Sequence, residues 1–286
     1  MPIQHVIEPL PGFTFGCDPE LFIVNGDGEF VGAEGIIPGN KVEPYKVNKG
    51  AVQVDGMAAE FNIDPAATYE EFSDNISTVM SQLQRFLPRG HTLAAVPTAV
   101  FKKEEFDRMP DYAKELGCMP DYNAWSGNVN PPPHCAENPY LRTASGHLHI
   151  GWTNDKEMDD ERHIKNATDL VKQMDWYLGA WSVTRDTDNV RRQLYGKAGA
   201  CRIKPYGVEY RVLSNFWLTH GRERIAVWNR MQQAIIDMRY NFFPDMTSPG
   251  FEFNANEAVI RSINDSSLDT TLAKAFNFPI MDIRVK

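Results

Sequence analysis

A chain of 286 residues, 42% hydrophobic and 11% aromatic, can bury a large core as one large α+β domain or two small ones. A formal net charge of −9 with no long basic run argues against nucleic acid held by phosphate neutralisation, and against a membrane surface. The stretch MPIQHVIEPLPGF has no basic n-region, and nothing approaches the roughly 18 apolar residues of a membrane span, so a cytoplasmic protein is expected.

Strand-like alternation runs over 13–24, 29–33 and 51–63. TYEEFSDNISTVMSQLQRFLP then reads as a helix. Thr68 and Glu71 form a capping box, Phe72, Ile76, Val79, Leu83 and Phe86 recur at helical spacing, and Pro88 stops it. A strand at 92–100 precedes a stretch, 104–145, rich in Pro, Asn, Tyr and Trp and expected to be an irregular, lid-like insertion. Met-Pro-Asp-Tyr recurs in it at 109–112 and 119–122, a period too short for a solenoid. A strand at 146–153 follows, then a helix over 159–184 with Ile164, Ala167, Val171, Met174, Leu178 and Trp181 on one stripe. Next come a strand at 201–214, a helix over 221–240, and short helices near 255–263 and 267–275. Single apolar stripes suit helices packed on one face of a sheet, and alternating strands suit a half-exposed antiparallel sheet. The composition contains no linker, so residues 1–286 are read as a single domain. Cys17, Cys118, Cys135 and Cys201 are far apart with no C-x-x-C and are read as reduced thiols rather than disulfides or a zinc site.

Five polar pairs share one spacing. Asp18 and Glu20, Glu60 and Asn62, His147 and His149, Arg202 and Lys204, and Glu209 and Arg211 each bracket a single residue. In a strand, residues two apart point the same way, so these pairs would line one face of four strands, the last carrying two pairs. An ordinary solvent face favours Thr, Ser, Lys and Gln. Carboxylates gathered on neighbouring strands would repel unless cations sit among them, and oxygen ligands with an imidazole suit Mg²⁺ or Mn²⁺. Arginines and a lysine facing the same space indicate an anion as well. Together these are the equipment of phosphoryl transfer. QLYGKAGACRIK adds Lys197 between Gly196 and Gly199, a backbone able to cradle phosphate or simply a turn, and it matches neither a P-loop nor G-x-G-x-x-G.

FGCDPELF, VDGMAAEFNIDP, RTASGHLHIGW and YGKAGACRIKPYGVEYRVLSN, in this order, resemble motifs of the phage-type carboxylate–amine ligases (type 2). These belong to the superfamily of glutamine synthetases and glutamate–cysteine ligases. The resemblance runs from about residue 13 to 217. It implies a glutamine synthetase-like catalytic domain whose curved antiparallel sheet is lined by acidic residues, with ATP and two or three Mg²⁺ or Mn²⁺ ions. A substrate carboxylate would attack the γ-phosphate to give an acyl phosphate, and an amine would displace the phosphate. By motif position Glu20, Glu60, His147 and Glu209 would hold metal, with Asp18 added. The same resemblance makes Glu20, Glu60, Glu209 and Arg211 the catalytic set. His149 would lie near the nucleotide, and Arg202 and Arg211, with Lys197 and Lys204, would neutralise the phosphoryl group. Asp18 stands where a glutamate is common, and the chain is short beside glutamine synthetase, so a monomer or homodimer is expected rather than a ring.

Other readings remain beside this one. Phosphoryl transfer to a guanidino group would use the same equipment and differ in its product. A metal-dependent nuclease would use Asp55, Glu60 and Asn62, against the net charge and without a lysine two after Glu60. An inactive binding descendant would not need the intact acidic set. Arg142, upstream of the histidines, is a candidate for a substrate carboxylate, and GCMPDYNAW for part of an acceptor pocket. The acceptor would be a metabolite amine, a peptide or a protein.

Overall fold

The computed structural model describes residues 6–115, 121–131, 138–153, 156, 158–186, 188–240 and 255–269. Strands β1 (Thr14–Val24), β2 (Phe30–Val31), β3 (Tyr45–Val47), β4 (Gly50–Asp55) and β5 (Ala58–Ile63) precede helix α1 (Tyr69–Phe86). Then come β6 (Thr92–Ala94), β7 (Thr98–Val100), helices α2 (Lys103–Arg108) and α3 (Asp111–Lys114), β8 (Tyr122–Asn123), β9 (Leu141–Thr143) and β10 (Gly146–Gly151). Helix α4 (Glu161–Met174) continues through a π-helical turn (Asp175–Gly179) into α5 (Ala180–Ser182), followed by α6 (Asn189–Leu194), β11 (Ala200–Lys204) and β12 (Gly207–Tyr210). A 3₁₀ turn (Asn215–Leu218), α7 (Gly221–Arg239) and α8 (Ala255–Asn264) complete the described chain.

The product is an α+β fold around a ten-stranded sheet of order β3-β4-β5-β1-β10-β12-β11-β8, with β2 and β6 paired to the end of β1. Its named pairings are antiparallel. Alternation decides which face meets the helices. Phe15, Cys17, Leu21 and Ile23 of β1 share one core with Phe61, Leu148, Ile150, Val208 and Tyr210 of its neighbours. Onto this face α1 lays Phe72, Ile76, Val79 and Leu83, α4 lays Ala167, Val171 and Met174, and α7 lays Val227, Trp228, Met231 and Ile235. The N-cap half of the expected capping box forms, with the Thr68 side chain accepting from the Glu71 N–H at 3.2 Å, while Glu71 Oε2 accepts from the Ala67 N–H at 2.8 Å, one residue before the cap. Among the described residues no helix is long and apolar enough to cross a membrane.

Several sequence expectations need correction. The strand expected over 51–63 is a hairpin that turns at Gly56 (φ +58°), and the strand expected over 201–214 is a hairpin turned by Pro205 and Tyr206. The polar pairs therefore fall on five strands rather than four, with Arg211 one residue past the end of β12. Both hairpins read as continuous strands because their tight turns interrupt the alternation for only two residues. The strand expected over 92–100 is two, β6 in the main sheet and β7 paired with β9 in a small second one. The insertion over 104–145 is not wholly irregular, since α2, α3, β8 and β9 fall in it or overlap it. Its first part caps the opposite face of the main sheet, where Phe101, Met109, Ala113 and Ala144 pack with Phe22, Met57 and Ala58 in a second core. Helices thus lie on both faces, the long ones on one and the short pair at one end of the other. The helix expected near 267–275 lies largely outside the described residues, as do Cys118 and Cys135. Cys17 and Cys201 are buried free thiols, and burial pushes Cys201 up to about 12.

A candidate cation and anion site on the polar face of the sheet

Strand register brings the sequence pairs into rows. Asp18 faces His147 across β1 and β10, and His149 faces Glu209, which in turn faces Arg202. Glu20 faces Glu60, and Glu60 faces Gln53. Every one of these side chains lies on the face opposite the main core, because each sits two residues from the next along its strand.

At the centre, Asp18 Oδ1 is 3.3 Å from His147 Nδ1 and 3.0 Å from His149 Nε2, and His147 Nδ1 is 3.6 Å from Glu209 Oε1. Asp18, His147 and Glu209 offer ligand atoms within 4.8 Å of one another. Two oxygens and an imidazole nitrogen make a donor set suited to Mg²⁺ or Mn²⁺, and thiolates are absent from it. His147 is 3% exposed, yet its Nε2 has no hydrogen-bond partner among the described residues. The Nδ1 of the same ring is the atom that faces Asp18 and Glu209, so the donor set itself carries the fit to a cation.

Cations gather around both oxygens of Glu209. Lys204 Nζ is 2.9 Å and Arg202 NH1 3.6 Å from Glu209 Oε2, while Arg211 NH1 pairs with Glu209 Oε1. Burial and the Asp18 charge would raise the Glu209 carboxyl, but Arg211, His147 and His149 outweigh them and hold it down at about 2. Burial would also raise Asp18. The charges of His149 and His147, and their hydrogen bonds, keep it well below the usual carboxylate range. His149 moves the other way from its buried neighbour. Burial and then Arg211 lower His147, whereas for His149 the attraction of Asp18 outweighs burial and raises it. The His149 Nδ1 meets the Tyr206 hydroxyl, which fixes the ring over the β11–β12 turn.

Glu20 and Glu60 form an adjoining pair with the opposite electrostatics. Burial, then the Asp55 charge, pushes Glu20 up to about 8, although its Oε2 accepts from the Ser145 N–H at 2.8 Å. Burial and the charges of Asp18, Asp55 and Glu20 raise Glu60 well above its ordinary value, and Gln53 Nε2 donates to it at 2.6 Å. Carboxylates this crowded favour a nearby positive charge.

Two expected anion contacts lie elsewhere. Lys197 is in the Gly-rich turn, where burial lowers its ammonium against the opposing charge of Asp265. Arg142 is 5% exposed, and its guanidinium donates to the carbonyls of Pro139, Leu141 and Lys114 and lies 4.6 Å from the Phe106 ring centroid. It thereby satisfies the last carbonyl of α3.

Four contributors went unread in the sequence. Asp121 pairs with Arg211 Nε at 2.5 Å, and Tyr195 accepts from Arg211 NH2. Arg191, fully buried, braces the β9–β10 junction through Ala144, Ser145, Val212 and Leu213. Gln53 carried a usable signal, because VQVD repeats the same i, i+2 spacing with Asp55. Asp121 and Tyr195 lie within GCMPDYNAW and QLYGKAGACRIK, but neither shows the i, i+2 spacing, since both arrive from outside the strands.

No protein-family model matches the chain, nor does any curated protein. Among solved structures it is similar to a bifunctional glutathione synthetase from Pasteurella multocida, with a TM-score of 0.43 and 11% identity over 93% of this chain and 49% of that one. The chain spans about half the length of that structure. The reading of the site therefore rests on its own residues.

Proposed function

We propose that this chain is an ATP- and Mg²⁺-dependent ligase that joins a carboxylate to an amine. The observation that carries the reading is the convergence of Asp18, His147 and Glu209 beside Arg202, Lys204 and Arg211 on one sheet face. Cation ligands and guanidinium groups in contact are suited to a nucleotide's phosphates together with their counter-ion.

Asp18, His147 and Glu209 would hold the cation, with Glu20 and Glu60 as the adjoining acidic pair. A bound Mg²⁺ or Mn²⁺ supplies Lewis acidity and neutralises phosphate charge. Arg202, Lys204 and Arg211 orient the γ-phosphoryl group and offset the charge that accumulates on it. An oxygen of the substrate carboxylate attacks the γ-phosphorus, the bond to the β-phosphate oxygen breaks, and ADP leaves with that electron pair. The amine gives up its ammonium proton to free the nitrogen lone pair, the nitrogen then attacks the acyl carbon, inorganic phosphate departs, and the nitrogen loses a second proton to leave an amide.

Calorimetric titration of ATP with and without Mg²⁺, on the wild type and on Glu60→Ala, tests the site. Binding that needs both the cation and Glu60 is expected. A mass-spectrometric screen should then find a conjugate lighter than its two parts by one water, whereas a phosphorylated guanidine would replace the ligase with a kinase. Turnover retained in both Glu20→Ala and Glu209→Ala would remove the argument.

A further inference from the structure

Past Glu20 the polar face runs into a pocket that adjoins the site described above and shares Glu20 and Tyr195 with it. A small cleft of about 60 Å³, open to solvent, lies between the sheet and the cap formed by the α3 end and β9. One wall is apolar, made by Phe22, Met57 and Ala58 of the second core. The remaining lining includes the acidic residues Glu20, Asp55 and Glu115. Arg142 also lines it, but its NH1 and NH2 donate to backbone carbonyls. Lys41, half exposed, pairs with Asp55 at 2.7 Å, a solvated contact that is worth little to either partner. Carboxylates beside a greasy wall favour a positive head on a short apolar stem and disfavour a second carboxylate on the same ligand. The pocket also opens next to the cation site. Glu20 is two residues from Asp18 on β1, and Tyr195 lines the pocket while its hydroxyl meets Arg211.

We propose that this pocket seats the amine co-substrate, and that the amine is an alkylammonium. A lysine side chain or a simple alkylamine has the required chemistry; the α-amino group of a free amino acid brings its own carboxylate against Asp55 and Glu115. The amine's later fate rests on the ligase reading, but its binding does not.

Binding is read by calorimetry with n-butylamine, glycine and propionate as probes, on the wild type and on the double variant Asp55→Asn, Glu115→Gln. n-Butylamine is expected to saturate the wild type, with glycine and propionate far weaker. Loss of two carboxylates should weaken butylamine about tenfold, the equivalent of one missing ionic contact. Glycine binding as tightly as butylamine, or a double variant that binds butylamine unchanged, overturns the assignment. The wild-type selectivity series stands even if the variant folds poorly. Titration of ATP with Mg²⁺ on the same samples separates the two readings. Butylamine bound without ATP removes the reaction and upholds the pocket's ligand class, while ATP bound without butylamine overturns the pocket alone.

Discussion

Asp175 is the buried residue whose replacement discriminates best. It opens the π-helical turn on the core side of the sheet, with no exposed surface. Its Oδ2 accepts from Trp125 Nε1 and from the Gly199 N–H, both at 2.6 Å, and its Oδ1 from the Tyr210 hydroxyl at 2.7 Å. One carboxylate thus ties the Gly-rich turn to the strand that carries Glu209. Asp175→Ala leaves three buried donors without an acceptor. At about 1–3 kcal/mol for each, the loss is comparable with the whole stability of a domain, roughly 5–15 kcal/mol. Asp175→Asn can keep all three bonds. The amide oxygen replaces Oδ2, and the amide nitrogen donates to Tyr210 once that hydroxyl turns round.

The two variants also separate in pH. Burial pushes Asp175 up to about 7 from its ordinary 3.8, so the folded protein keeps a proton that the unfolded chain releases within that window. The stability this contributes is full below 3.8 and is lost as pH rises through about 7. A displacement of that size corresponds to about 4 kcal/mol. The neutral Asn escapes this loss, so Asp175→Asn should gain on the wild type between pH 5 and pH 8. Other raised carboxyls, Glu20 and Glu60 among them, act on both proteins alike and cancel in the difference. Urea denaturation of the three proteins at both pH values measures it. Parallel pH dependence of wild type and Asp175→Asn, or an Asp175→Ala protein as stable as Asp175→Asn, would refute the reasoning.

Further expectations follow from the same geometry. A Cβ at position 207 would lie 2.0 Å from the Ile150 carbonyl oxygen, so Gly207→Ala should push β10 and β12 apart. It should cost about 1–3 kcal/mol or more, and a melting temperature equal to wild type would count against the strand register. Arg142→Ala leaves the carbonyls of Pro139, Leu141 and Lys114 unsatisfied, a loss of about 2–4 kcal/mol. Arg142→Lys should recover little of it in the same denaturation assay, because an ammonium cannot reproduce the planar fork. For the cation site, Mn²⁺ titration followed by electron paramagnetic resonance should show affinity at least about tenfold weaker in Asp18→Asn and in His147→Ala. Unchanged binding in both would move the cation elsewhere.

Much of the polar face was legible because period-two alternation is a local property. Asp18, Glu20, Glu60, His147, His149, Arg202 and Lys204 each share a strand with a partner two residues away, Glu209 has Arg211 just past the end of its strand, and the spacing alone puts the members of a pair on one side. Helices α1, α4 and α7 were legible for the parallel reason, since their apolar stripes repeat at 3.6 residues. The two hairpins were missed because a two-residue turn barely disturbs alternation. The π-helical turn was missed because Asp175–Gly179 continues the helical stripe through Leu178 and Trp181.

What the sequence by itself determined is therefore the kind of chemistry present, acidic and imidazole groups with guanidinium groups on one face of a sheet. Only the tertiary structure decided which of them meet. Register grouped Asp18, His147 and Glu209 closely while leaving Glu20 and Glu60 as a neighbouring pair. Long-range packing brought Asp121 and Tyr195 to Arg211, turned Arg142 toward backbone carbonyls, and folded α2 and α3 over Phe22 to make the pocket. Alternation says which side of a strand a residue takes; which strands lie side by side is settled by burying a shared core, and no local pattern encodes that.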